Sequence, residues 1–181
     1  EDGKLVNRHG ITDLEFTDPA DLARMGEMGV AAELYLQIMS LDPGDVVRDN
    51  IRRTIGQERG KYYWNRRKMA DSGVHLCGAT DLPLMIPDLP ESIYHSSGGL
   101  FPEGGEPFLK ENTLTIAEVL RAWTLGGAWN LGMEDRLGTL EAGKLADIAV
   151  LDRNVFEVPM EEMRDVRVSL TVVNGEIVFK R

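Results

Sequence analysis

The order of apolar and polar residues divides the chain into short segments that alternate between strand-like and helix-like patterns. Lys4 to Glu15 carries extended-type residues without clean alternation and predicts a short strand. Asp18-Pro19 then opens a helix, because the Asp carboxylate accepts from free backbone N–H groups and proline suits the first helical position. Leu22, Met25 and Met28 keep one apolar face until Gly29 supplies a left-handed stop. Val30 to Ile38 reads as a second strand. Asp42-Pro43 repeats the cap-plus-proline signature before Val47, Ile51 and Ile55, which lie at helical spacing. A third helix is expected over Tyr62 to Asp71, ending near Gly73. Val74 to Ala79 is short, apolar and bounded by turns, as a buried strand is.

This rhythm of strand and helix with short connections predicts βα units and a parallel sheet. In such sheets chemistry sits beyond the carboxyl ends of the strands. Two places qualify: the segment after Ile11 and the segment Gly78-Ala79-Thr80-Asp81-Leu82-Pro83. Gly98 to Asn112 is a long Gly/Pro-rich loop of the kind that covers active sites. Thr115-Ile116-Ala117-Glu118 is a capping box opening a helix whose Ile116, Val119, Leu120 and Trp123 face inward. Past Gly138 the pattern changes. Ala146 to Leu151 and Val166 to Val173 read as strands, and Asn174-Gly175 is a type I′ turn leading into Ile177-Val178-Phe179. A small antiparallel element therefore follows the α/β part.

Composition narrows the class. With 181 residues, 43% hydrophobic and only one cysteine, the chain buries a core and is neither disordered nor stapled by disulfides. No apolar run approaches the ~18 residues of a membrane span, which predicts a soluble chain with no membrane partner. A net charge of −10 argues against nucleic acid as a partner. Against that trend, Arg48 to Lys68 holds eight basic and two acidic residues interleaved with Tyr62, Tyr63 and Trp64. We read it as a solvated helix face that neutralises acidic neighbours, in preference to a phosphate-binding patch. The lone Cys77 has no internal partner and fits a reducing, cytoplasmic compartment. The chain begins Glu1-Asp2-Gly3 with neither Met nor a signal sequence, and is expected to be a piece of something longer.

Candidate chemistry is sparse. The three histidines, His9, His75 and His95, form no HxH or HExxH motif, and no CxxC pair exists. His75 and Cys77 share strand parity and read as a satisfied core pair rather than ligands. No GxSxG elbow, GxGxxG or P-loop is present, which disfavours serine hydrolases, dinucleotide enzymes and P-loop NTPases. Asp81 is the best single candidate. It follows an apolar strand at its carboxyl end, where a carboxylate binds a metal or accepts a proton. An Asx-turn residue ahead of Pro83 is the equally weighted structural alternative.

The C-terminal third carries a resemblance. Leu114-Thr115-Ile116-Ala117-Glu118, Trp123-Thr124, Ala128-Trp129-Asn130-Leu131-Gly132 and the run from Gly138 to Asp152, with its G-x-L-E-x-G-K-x-A-D core, occur in that order. Together they resemble the C-terminal part of the metal-dependent amidohydrolase superfamily, in the branch called amidohydrolase family 3, with its exoenzyme-regulator-like and N-substituted formamide deformylase-like proteins. Val168 to Gly175 is similar to that family's last hairpin. The resemblance implies the C-terminal half of a (β/α)₈ barrel over residues 1–137 and strands of a small composite β-sandwich over residues 138–181. It places the family's Ser-Asp or Thr-Asp on Thr80-Asp81, with Asp81 as metal ligand and proton acceptor. It implies a divalent metal, zinc in the complete protein, and a small amide-type substrate.

The same resemblance exposes departures. The frame Arg-His-x-Ile-Glu-His falls on Arg8-His9-Gly10-Ile11-Thr12-Asp13, so Asp13 stands where a metal-ligating His is expected. Where relatives carry Gln-Pro-x-His, this chain reads Gln37-Ile38-Met39-Ser40. A complete barrel takes ~250 residues, so the expectation is a half barrel that meets a missing N-terminal half or self-associates. It would be inactive alone, or else a degenerate binding or oligomerisation module.

Overall fold

The computed structural model describes residues 5–181, so residue 4 of the expected first strand lies outside the described residues. Three short strands, β1 (Gly10–Thr12), β2 (Ala31–Tyr35) and β3 (His75–Ala79), form a parallel sheet in the order β1-β2-β3. Ala31 is paired with Gly10 on one side and His75 on the other. Among the described residues, the outer edges of β1 and β3 carry no further strand. The central strand is buried on both faces: Ala31, Ala32 and Leu34 are all buried.

Helix α1 (Pro19–Met28) returns the chain from β1 to β2, with the Asp18 carboxylate accepting from Ala20 N–H and Gly29 closing it at φ 71°. Its buried face is Leu22. Between β2 and β3 lie α2 (Gly44–Thr54), α3 (Gln57–Gly60) and α4 (Arg66–Asp71). Three boundaries differ from the sequence pattern. Strand β2 stops at Tyr35, and Ile38 enters a 3₁₀ turn. Asp42 does not cap α2: the Gly44 N–H donates instead to Glu103 at 2.8 Å, an acceptor reaching over from the long loop. The expected helix over Tyr62 to Asp71 starts only at Arg66, because Trp64 adopts φ 44° and Asn112 Nδ2 donates to the Lys61 and Tyr63 carbonyls. Those contacts hold residues 61–65 as a turn.

After β3, α5 (Leu89–Ser96) is capped by Asp88, whose carboxylate accepts from Glu91 N–H. The Gly98–Asn112 loop is packed rather than free: Phe101 is buried against Trp64 and Met39, with Phe108 beside it. The capping box of Thr115 and Glu118 opens α6 (Ile116–Arg121), which continues through a π-helical stretch, Ala122–Gly126, into α7 (Gly127–Asn130). A second sheet, β4 (Ile148–Leu151), β5 (Val168–Val173) and β6 (Glu176–Lys180), is an antiparallel meander. Asn174 and Gly175 at φ 49° and 82° make the tight turn that the Asn-Gly pair predicts.

One core serves most of the chain. Leu22, Ala32, Leu34, Leu36, Met69 and Ile93 pack with Val119 and Ala122 and, from the C-terminal stretch, Val155, Met163 and Val166. Arg164 reinforces this junction, its Nε donating to Glu91 at 3.0 Å and its Nη1 to the Pro102 carbonyl.

Candidate active site

The carboxyl ends of β1, β2 and β3 lie along one edge, and the two acidic residues singled out from the sequence both follow strands at that edge. Asp13 follows β1 directly, and Asp81 follows β3 after the buried Thr80. Both are exposed, and both hold left-handed backbone conformations, φ 59° at Asp13 and 50° at Asp81. Asp is one of the few residues with a side chain that tolerates this region, at a cost of roughly 1–2 kcal/mol. The sequence pattern showed the strand ends but not this shared left-handed conformation just past them. Asp13 and Asp81 follow strands that are two apart, and because Thr12 is level with Cys77 across β2, Asp81 lies further along the edge than Asp13.

Between them, the end of β2 is tied down by polar contacts that run from the exposed rim into the core. Tyr35 ends β2, and its hydroxyl lies 3.2 Å from Thr12 Oγ1 on β1. The Tyr35 carbonyl accepts from Arg66 Nη2 at 3.0 Å, and the Leu36 carbonyl accepts from Ser96 Oγ at 2.6 Å. Arg66 Nη1 donates to that same Ser96 Oγ at 2.8 Å. Arg66 is only 4% exposed, and burial pushes its guanidinium down to about 10 despite the nearby Glu15 charge. Gln37 is also buried and reaches the loop that follows Asp81: its Nε2 donates to the Ile86 carbonyl at 3.1 Å and its Oε1 accepts from Asp88 N–H at 3.0 Å. On the β1 side, Glu15 accepts from the Tyr63 hydroxyl, and burial holds that phenol well above its ordinary range.

Sequence reasoning missed both Arg66 and Gln37. Arg66 lies within a basic run whose pattern is that of a solvated helix face, and Gln37 lies in a stretch distinguished only by the histidine it lacks. Two other members of that run also have distant partners, while Arg52 and Arg53 are exposed and pair with Asp49 within their own helix. Arg67 makes a two-pronged pair with Glu118, at 2.7 and 2.6 Å, and Arg48 stacks over Phe101 and Phe108. His75 is half-buried with its ring 3.8 Å from that of Trp129, its Nε2 lying 3.3 Å from the Gly126 carbonyl. Cys77 is buried, and desolvation, followed by the Glu33 charge, pushes its thiol up to about 11. His95 is fully buried, with Nδ1 2.6 Å from the Leu100 carbonyl. These groups belong to the packing and not to the carboxyl edge.

A catalytic zinc takes three protein ligands and an open position. Among the described residues, no three His, Cys, Asp or Glu side chains gather closely enough to hold a metal ion. Asp13 and Asp81 alone do not fit one.

The family profile described as "Amidohydrolase family" matches residues 2–179. The chain belongs to the amidohydrolase family. It is 31% identical over 115 residues to the N-substituted formamide deformylase of Arthrobacter pascens, a stretch covering 64% of this chain and 21% of that protein. It is 32% identical over 121 residues to an imidazolonepropionase of Thermoplasma acidophilum, covering 66% of this chain and 27% of that one. This amidohydrolase chain thus spans roughly a quarter of the length of those curated relatives. Among solved structures, an adenosine deaminase from Xanthomonas campestris with bound zinc aligns at TM-score 0.64 and 18% identity, covering 94% of this chain and 37% of that one. An amidohydrolase from Thermotoga maritima aligns at 0.62 and 17%, covering 95% and 37%. At such identities the likeness establishes the fold, a TIM-barrel type of which the β1-β2-β3 sheet is a part. No helix among the described residues is long and apolar enough to cross a membrane.

Proposed function

We propose that this chain is the C-terminal half of the (β/α)₈ barrel, residues 1–137, with strands of a composite β-sandwich, residues 138–181, of a hydrolase acting on non-peptide C–N bonds. The observation that carries the reading is the position of Asp81, in an amidohydrolase, just beyond the carboxyl end of β3 with a left-handed backbone conformation. The substrate is a small amide-type molecule, in keeping with relatives named for deformylation of N-substituted formamides and for imidazolonepropionate chemistry. Asp81 is the proton acceptor for the attacking water, and Asp13 a weaker candidate ligand. The divalent metal of the complete protein, zinc, takes most of its donors from outside these residues. The chain meets that missing half or a second copy of itself, and is inactive alone. The test is turnover by the complete protein of N-substituted formamides, N-acyl amino acids and cyclic ureides with added Zn²⁺. Asp81→Asn is expected to lower the rate by roughly 10²–10⁴-fold, and an unchanged rate refutes the role.

A second reading is favoured by one observation, the lack of a three-ligand cluster among the described residues, with Asp13 in the expected histidine position. It makes the chain a non-catalytic binding or oligomerisation module. Stoichiometric metal in the complete protein, measured by elemental analysis, refutes it.

A further inference from the structure

The loop from Asp81 to Asp88 that joins β3 to α5 has little apolar anchorage. Leu82, Leu84 and Ile86 are 66%, 52% and 79% exposed, and Met85 alone among its apolar residues is buried. Two internal hydrogen bonds shape its first half, Leu84 N–H to the Asp81 carbonyl at 2.7 Å and Met85 N–H to the Thr80 carbonyl at 3.2 Å. Its second half is held from outside by Gln37, whose amide brackets Pro87 by meeting the Ile86 carbonyl and the Asp88 N–H. The partners fix the orientation of that amide, because a carbonyl only accepts and a backbone N–H only donates. Gln37 itself is seated at the end of β2, its own carbonyl accepting from Ser40 N–H at 2.8 Å. The Asp88 it grips goes on to cap α5.

We propose that Gln37 is the positioning residue that fixes the Asp81 loop against the carboxyl end of β2; the inference rests on the role of Asp81 given above. A single planar fork must present one donor and one acceptor to a loop some fifty residues away. Glutamine does so at every pH. Glutamate does so only when protonated, since its ionised form turns a second acceptor toward the Ile86 carbonyl.

That difference supplies the test, which is amide hydrogen exchange on the full chain with Gln37→Met and Gln37→Glu. Gln37→Met is expected to lower the protection of the Asp88 and Met85 amides by about tenfold at every pH, the worth of one or two net hydrogen bonds. Gln37→Glu is expected to lose protection at neutral pH and to regain it below the titration of the new carboxyl. A global loss of stability from the buried carboxylate would recover with it, so the discriminating readout is location: the change is confined to the amides of this loop while those of the β1-β2-β3 sheet keep their protection. In the complete protein, Gln37→Met is expected to lower kcat by about tenfold to a hundredfold with KM little changed, as displacement of a reacting group does. Unchanged protection in both variants overturns the inference, and so does lost protection with unchanged kcat. Normal turnover by Asp81→Asn overturns the function assigned to Asp81 while leaving the measured clamp in place, so the two failures are distinguishable.

Discussion

Gly126 and Gly127 are neighbours that the same substitution separates. Both have helical backbone angles, φ −60° and −62°, at the junction of the π-helical stretch and α7. Alanine at either position gains helix propensity and reduces unfolded-state freedom, worth about 0.4–1 kcal/mol. A Cβ on Gly127 meets nothing within 4 Å. A Cβ on Gly126 falls inside van der Waals contact of the Leu76 carbonyl oxygen, and lies 3.2 Å from the Leu76 carbonyl carbon and from the Arg121 carbonyl oxygen. All of these are backbone atoms and cannot rotate away. The helix must lift off β3 by on the order of 1 Å, an overpacking that costs about 1–3 kcal/mol or more. We expect Gly127→Ala to stabilise by about 0.5 kcal/mol and Gly126→Ala to destabilise by about 2–3 kcal/mol, a drop in Tm of roughly 4–12 °C for a chain of this size. Urea denaturation of the two variants beside the parent protein measures the gap directly. If both shift the midpoint alike, the end of the π-helical stretch is not seated on Leu76 of β3 and the reasoning fails.

Two further outcomes follow from charge and burial. The Arg67 guanidinium, with help from Thr115, holds the Glu118 carboxyl down to about 2, so the stability it contributes is complete above the ordinary carboxylate range near 4.5 and is lost as pH falls from there toward 2. After allowance for solvent screening this is about 1 kcal/mol, and urea midpoints between pH 6 and pH 3 should fall more steeply for the parent than for Arg67→Met. Cys77, with its thiol pushed up to about 11, carries roughly a hundredfold less thiolate at pH 8 than an unperturbed thiol. Its reaction with a disulfide reagent should therefore wait for unfolding, and rapid labelling of the native chain would contradict its burial.

Much of the frame was legible because it rests on local chemistry. Asp18 and Gly29 bound α1, Thr115 and Glu118 open α6, and Asn174-Gly175 turns β5 into β6, each through contacts within a few residues. What the pattern could not carry were partners far along the chain. Asp42-Pro43 resembles a cap, yet Glu103 answers the free N–H at the start of α2. Tyr62 to Asp71 has helical composition, yet Asn112 takes the Lys61 and Tyr63 carbonyls and delays the helix to Arg66. At the candidate site, strand ends pointed to Asp81 and a motif frame to Asp13. The supports, Arg66 and Gln37, carry no local signature, because their partners lie at Tyr35, Ser96, Ile86 and Asp88.

The contacts at the end of β2 also set a sequence of events in time. The β1-β2-β3 order lets each strand dock on the one made just before it, and the pairing of Ala31 with His75 already closes a loop of more than forty residues. The Gln37 and Ser96 contacts span 49, 51 and 60 residues, most of which the paired β2 and β3 have already bridged, so they come within reach once the sheet is formed. Closing such loops costs entropy that grows slowly with length but is repaid only once both ends are structured. The rim that presents Asp81 is thus assembled after the sheet beneath it. Weakening that rim should quicken unfolding while leaving the folding rate nearly untouched.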